Sequence, residues 1–156
     1  MASTHERTLI IIKPDAIQRN LISNIVARFE LKGLELVAMK MMSIEDTLIR
    51  EHYAHHVDKP FFNDLKTFMQ STPVIVMVWQ GVEAVRISRQ LIGATSGRKA
   101  DIGTIRGDLS NSMSRNIVHG SDTVENAQEE VKRFFKTDEL FDWHKTDMQH
   151  VYAPDE

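Results

Sequence analysis

Apolar and β-branched residues run without a break from Thr8 to Ile12 and stop at Pro14, a pattern that predicts a buried strand. From Asn20 to Lys32 the period changes: Ile22, Ile25, Val26 and Phe29 fall on one face of a helix, and Gly33 stands where a helix C-terminal glycine is expected. Leu34 to Met42 reads as a second strand, with Leu34, Leu36, Ala38 and Lys40 alternating against Glu35, Val37, Met39 and Met41. Helices are expected over Ile44 to His55 and Pro60 to Gln70, the latter opened by a proline suited to a first turn. Ser71-Thr72-Pro73 breaks the chain before the apolar strand Val74 to Trp79. Val82 to Ile92 reads as a helix ending at Gly93, Asn116 to Val118 as a short fourth strand, and Thr123 to Phe135 as a last helix with Thr123 as N-cap. The tail from Lys136 onward has no period.

Reduced to its main elements the order is βαββαβ. This is the ferredoxin-like α+β pattern, a four-stranded antiparallel sheet covered by helices, here expected on one face. No internal repeat, low-complexity stretch or linker divides the chain, so residues 1–156 read as one domain. One segment does not fit an element. Ser96 to Ser114 is a long polar stretch, and structureless segments of that length in a compact domain tend to be functional. It carries Arg98, Lys99, Thr104 and Arg106, follows Thr95 directly and leads to His119. The expected role is to grip phosphate.

Composition narrows the chemistry. Apolar residues make up 42% and charged residues 26% of the 156, the balance of a globular domain able to bury its own core. The chain has no cysteine, which excludes disulfides, thiolate chemistry and sulfur-ligated zinc. A net charge of −3 gives no general attraction to nucleic acid or to anionic membrane. Met1 to Arg7 is polar and unlike a signal peptide, and the longest apolar run, Val74 to Trp79, is far short of the ~20 residues of a membrane span. A cytoplasmic location is the default expectation.

The usual phosphate-binding loops, GxxxxGK[ST] and a strand-borne GxGxxG, are absent. A phosphate site would then be built from side chains, for which arginine's planar fork is suited. Arg89, Arg106 and Arg115 are candidates, with Lys13 at a strand end. His119 follows an apolar strand and precedes Gly120, which leaves room for close approach of a substrate. Imidazole is a competent nucleophile near neutral pH. Position alone favours a structural histidine at a turn. His52, His55 and His56 have the i, i+3, i+4 spacing of a metal site, but no carboxylate or cysteine completes it in sequence, so they read as a solvated helix face.

Asn116-Ile117-Val118-His119-Gly120-Ser121-Asp122 closely resembles the active-site segment of nucleoside diphosphate kinases. The resemblance continues in one register over most of the chain. Glu6-Arg7-Thr8-Leu9 with Ile12-Lys13-Pro14-Asp15 is similar to that family's opening strand. His52-Tyr53-Ala54 and Lys59-Pro60-Phe61-Phe62 resemble its helical nucleotide lid. Gly103-Thr104-Ile105-Arg106-Gly107-Asp108 resembles its phosphate loop, and Glu139 to Trp143 with Val151-Tyr152 its C-terminal tail.

The resemblance implies roles at the matching positions. His119 would accept the phosphate through one ring nitrogen while Glu130 holds the other. Lys13 and Tyr53 would lie at the transferred phosphoryl group; Arg89, Thr95 and Arg106 would grip the outer phosphates. Asn116, with Lys13, would read the sugar hydroxyl. Phe61 would stack on the base, with Leu65 and Met113 at its edge. The implied reaction is a double displacement: the γ-phosphate of a nucleoside triphosphate such as ATP passes to His119 and then to a nucleoside diphosphate. Mg2+ would arrive on the nucleotide's phosphates and water, with no dedicated metal cluster. The implied assembly is a homo-oligomer, a hexamer before a tetramer.

Three departures from the family pattern stand out: Ala16 for a glycine, Ile102 for a proline, and the run Ser110 to Ser114. Two rivals use the same residues differently. A phosphohistidine relay to a protein acceptor would need no sugar and base site, and a nucleic-acid or scaffolding module would have lost matched positions; the sequence has the first and lacks the second feature, so nucleic acid is not an expected partner.

Overall fold

The structure, a computed structural model, describes residues 5–156. The first four positions of the polar lead Met1–Arg7 lie outside the described residues. The central strand β1 (His5–Ile12) pairs antiparallel with β3 (Val74–Val82) along its whole length, from His5↔Val82 to Ile12↔Ile75. Its other edge pairs with β4 (Val118–Gly120), from Ile10↔Gly120 to Ile12↔Val118. Strand β2 (Glu35–Met42) joins the far side of β3, giving the order β2-β3-β1-β4 with every pair antiparallel.

Helices cover both faces of this sheet, not one as the βαββαβ order suggested. The reason is visible in β1, where Leu9 and Ile11 enter one apolar cluster and Ile10 and Ile12 the other, all at 0% exposure. A strand with no polar face needs cover on each side. On the Leu9 side lie α3 (Asp46–His52), α4 (Phe62–Met69) and α7 (Val124–Phe134), through Ile49, Phe62, Met69 and Val131. On the Ile10 side lie α1 (Pro14–Gln18), α2 (Ile22–Leu31), α5 (Ala84–Ile92) and α6 (Ile105–Leu109), through Ala16, Phe29, Ile92 and Ile105. Ala16, one of the three departures, is fully buried there.

Several boundaries move for local reasons. The helix expected over Asn20 to Lys32 starts at Ile22, because Asn20 takes a left-handed φ of 58° between α1 and α2. The helix expected to reach His55 ends at His52, and Ala54–His56 forms a separate 3-10 turn. The helix expected from Pro60 begins at Phe62. Strand β3 continues past Trp79 to Val82, and α5 begins after Glu83 at a left-handed φ of 51°. The alternation of β2 breaks where Leu36 faces Trp79 but Ala38 faces Val78, leaving Val37 as a bulge. Thr123 does cap α7, its hydroxyl accepting from Asn126 N at 3.1 Å.

The C-terminal tail covers half of the exposed sheet edge. Phe141 N donates to Val37 O at 3.1 Å and Trp143 Nε1 to Leu36 O at 2.9 Å. Met39 and Met41, on the other half of β2, remain exposed.

Phe29 stacks on Trp79 at 5.5 Å between ring centroids, both fully buried. Phe29→Ala is expected to cost about 3–5 kcal/mol of stability. Urea unfolding followed by tryptophan fluorescence measures this, and a loss under 1 kcal/mol would contradict the packing described.

Candidate active site

The site is built around a strained turn. Ile117 is fully buried, β-branched, and has a φ of 76°. Such a residue in the left-handed region costs roughly 1–3 kcal/mol and persists only when its surroundings fix it. Here Val118 N donates back to Asn116 O at 2.8 Å, closing a γ-turn about Ile117. Lys13 N donates to Ile117 O at 2.9 Å, and Ile117 N donates to Asp15 Oδ2 at 3.0 Å. Arg106 grips both flanks, with Nε on Asn116 O at 3.1 Å and Nη2 on Val118 O at 2.8 Å. The fourth strand therefore begins at Val118, two residues later than expected, and His119 lies within it opposite Ile11.

His119 is half-buried on the side of the sheet that α7 covers. Its Nε2 lies 3.1 Å from each carboxylate oxygen of Glu130. Ser121 Oγ donates to Glu130 Oε2 at 2.6 Å, and Leu9 N donates to Ser121 Oγ at 3.1 Å. Burial alone would raise the Glu130 carboxyl; the hydrogen bonds from His119 and Ser121 oppose it, and the group is held below the usual carboxylate range. An ionised carboxylate only accepts, so His119 Nε2 carries the proton and Nδ1 keeps its lone pair.

A cavity of about 1200 Å³ opens beside the ring. Of the residues singled out in the sequence, Lys13, Tyr53, Phe61, Leu65, Thr95, Arg106, Met113, Arg115, Asn116 and His119 all line it. Glu130 sits behind His119. Arg89 is not in the wall; it is half-buried on α5 with Nη1 3.5 Å from Gly120 O. Lys13 Nζ donates to Asn116 Oδ1 at 2.7 Å, and Asn116 Nδ2 donates to Thr95 O at 3.0 Å. Phe61 is 49% exposed and lines the cavity, while Phe62 is buried and fills core. A smaller cavity of about 570 Å³ lies along residues 97–111 beside Arg19, away from His119, and includes Ile102.

Crowded cations shape the wall. Burial pushes the Lys13 amine down to about 8, with Arg106 adding to that and Asp15 opposing. Burial and Arg89 push Arg106 down to about 10. Burial raises the Tyr53 phenol well above its usual value, so its hydroxyl stays protonated and can donate.

Sequence reasoning missed Ser121, Asp15 and the surroundings of His52. The three nearby histidines do not share a solvated face. The helix ends at His52, so helical spacing does not carry on to His55 and His56. His52 is buried, His56 lines the cavity, and the rings of His55 and His56 lie 3.9 Å apart. Among the described residues, His52 instead groups with His119 and Glu130, their ligand atoms within 4.8 Å of one another. No stretch of local sequence signals that grouping.

Comparison with known proteins places this geometry. A family model described as nucleoside diphosphate kinase matches residues 6–140. A nucleoside diphosphate kinase of Parabacteroides distasonis is 52% identical, over 97% of this chain and 99% of that protein. The one from Saccharomyces cerevisiae is 45% identical over the same shares. The solved structure of a halophilic nucleoside diphosphate kinase from Halobacterium salinarum, in complex with CDP, superposes with a TM-score of 0.92 at 48% identity, over 96% of this chain and 99% of that one. Fold, site and relatives together define a phosphotransferase. The chain belongs to the nucleoside diphosphate kinase family, whose members need a divalent cation. Among the described residues, no helix is long and apolar enough to cross a membrane.

The Lys13 amine should titrate with a midpoint near 8, not the usual 10.5. Two-dimensional NMR of protein labelled at lysine Cε tests this; a midpoint above 10 would mean that the amine is solvated.

Proposed function

We propose that this chain, acting as one domain over residues 1–156, transfers the γ-phosphate of a magnesium-bound nucleoside triphosphate to a nucleoside diphosphate through a phosphohistidine on His119. The observation that carries the reading is His119 Nε2 pinned 3.1 Å from both oxygens of Glu130, which leaves Nδ1 as the nucleophile beside a cation-lined cavity. The Nδ1 lone pair attacks the γ-phosphorus, and the bond from that phosphorus to the bridging oxygen breaks. The bond electrons leave on the nucleoside diphosphate. The proton stays on Nε2, and the Glu130 carboxylate against it balances the positive charge the ring acquires. A second diphosphate then attacks the phosphohistidine through a terminal oxygen, and the lone pair returns to Nδ1.

Catalysis of this kind is positioning and charge stabilisation. The Lys13 ammonium and the protonated Tyr53 hydroxyl are suited to the transferred phosphoryl oxygens. Arg106 has five N–H donors and places three on the carbonyls of Gly93, Asn116 and Val118, which leaves two for phosphate. Thr95, and Arg89 after a change of side-chain conformation, complete the grip on the outer phosphates. Asn116 with Lys13 is suited to the sugar hydroxyl. The exposed face of Phe61 would stack on the base, with Leu65 and Met113 at its edge; a π-face is common to every base, which favours tolerance among nucleotides. Magnesium enters as part of the substrate. The cavity wall is rich in cations and neutral donors, with Asp64 its sole carboxylate among the described residues, which suits an ion carried by phosphates and water. A cytoplasmic location agrees with the composition.

We also read the chain as a homo-oligomer, a hexamer before a tetramer. Two separate exposed apolar regions support this: Met39 and Met41 on the open half of β2, and Ile102, 86% exposed, on the long loop. A closed assembly larger than a dimer uses either a heterologous contact or more than one interface, and two separate apolar regions suit either. Sedimentation velocity measures the state directly; a monomer at micromolar concentration would overturn it.

Incubation with ATP labelled at the γ-phosphate should leave label on the protein that is acid-labile and base-stable. His119→Ala should abolish it, and label persisting on that variant would move the nucleophile elsewhere. Initial rates with ATP and diphosphate both varied should give parallel reciprocal plots; converging lines would mean direct transfer in a ternary complex.

A further inference from the structure

His52 has no part in the roles above, yet it is among the most enclosed polar side chains near His119. It closes α3, is 7% exposed, and meets three rings edge to face: Tyr53 at 4.6 Å, His119 at 4.7 Å and Phe134 at 5.1 Å between centroids. Its Nδ1 lies 3.2 Å from Arg133 Nη1. A guanidinium can only donate, so Nδ1 accepts and the ring proton sits on Nε2. That Nε2 is buried and has no hydrogen-bond partner. Arg133 is itself held from outside by Glu51, 3.4 Å from its Nε.

The groups facing the ring are His119 from β4, Glu130 and Arg133 from α7, and Lys13 from the end of β1. Burial first, then His119, Arg133 and Lys13, push the ring down to about 3 against the opposing pull of Glu130. His52 is therefore neutral at every pH at which the protein would work.

We propose that His52, fixed as its Nε2–H tautomer by Arg133, is a positioning residue that backs the Glu130–His119 pair and keeps Nδ1 of His119 aimed during phosphoryl transfer. The inference rests on the function proposed above. As Nδ1 bonds to phosphorus, the His119 ring gains positive charge and is drawn toward Glu130. A neutral side chain that packs against His119 and is held in one position by Arg133 opposes that movement and adds no opposing charge; without the Arg133 anchor its position is no longer fixed. No proton leaves His52 at any stage. The same tautomer argues against a metal centre at His52, His119 and Glu130. Protonated Nε2 has no lone pair to offer, and freeing one would require Arg133 to give up Nδ1.

The test uses the full chain with His52→Phe, His52→Gln and Arg133→Met. Phenylalanine keeps the ring contacts and removes both nitrogens; glutamine can accept from Arg133 and still present an N–H. Single-turnover labelling of His119 by ATP should slow on the order of 10–100-fold in His52→Phe and in Arg133→Met. It should recover most of that loss in His52→Gln, while KM for the nucleotide moves less than about threefold. The His52→Phe/Arg133→Met double variant should be no slower than the worse single one, because both act through one ring. Labelling at the wild-type rate in Arg133→Met or in folded His52→Phe overturns the inference alone. A parallel rise in KM overturns it too, since loosened packing would then explain the loss. If His52→Phe does not fold, Arg133→Met against His52→Gln decides. If the wild-type chain takes no label on His119, the proposed function fails first and this inference with it.

Discussion

Everything at the centre of this molecule depends on one carboxylate staying ionised where burial opposes it. Glu130 is drawn out of water by α7 packing on β1, which by itself favours the neutral acid. A neutral acid could not fix the tautomer of His119, because it donates as readily as it accepts. Two donors reverse the balance: Nε2–H of His119, shared between both oxygens, and the Ser121 hydroxyl at 2.6 Å. Ser121 is in turn set by Leu9, a residue of the central strand. The orientation of one imidazole is thus tied through two side chains, Glu130 and Ser121, to the backbone of the central strand.

The second constraint is backbone strain. Ile117 would not hold a φ of 76° on its own preferences. It does so because Arg106, Asp15 and the Lys13 amide meet around it. These are also the residues, or neighbours of the residues, that line the cavity. The strain has a geometric result: a turn of three residues separates Asn116, which faces Lys13 and Thr95, from His119, which pairs opposite Ile11. A regular strand through Ile117 would carry those two side chains along the sheet in a fixed two-residue alternation.

How far the sequence revealed this depends on whether a feature is local. Strands β1 and β3 were legible because burial on both faces leaves an unbroken apolar run. Helix α7 was legible because Thr123 caps it. Strand β4 was misplaced because its start is set by contacts from Arg106 and Asp15, remote in sequence, and Asn116 to Val118 gives no sign of a γ-turn. Among the residues lining the cavity, Lys13, Thr95, Arg106, Arg115 and His119 were legible from their chemistry, while Tyr53, Phe61, Leu65, Met113 and Asn116 were named only through resemblance to a family. His52 was misread because its spacing from His55 and His56 has meaning only while the helix continues, and the helix stops there. Its true neighbours come from α7 and β4, which no window of sequence around His52 contains.

The cation crowding in the cavity wall gives the last step. Lys13 and Arg106 are each made less basic by burial, and Arg106 and Arg89 respectively add to it. Holding these charges together out of water costs the folded chain stability. A ligand bearing several negative charges relieves that cost at every group it reaches, whereas a neutral nucleoside relieves none. The base contributes a stacking surface that all nucleotides share, so it separates them weakly. Under the function we propose, discrimination would follow the number of phosphates and not the identity of the base, with triphosphate and diphosphate above monophosphate and nucleoside. A wall that is mildly unfavourable by itself is what makes such a ranking possible, because specificity is a difference between ligands and the repulsion enters that difference in full for the ligand that cannot relieve it.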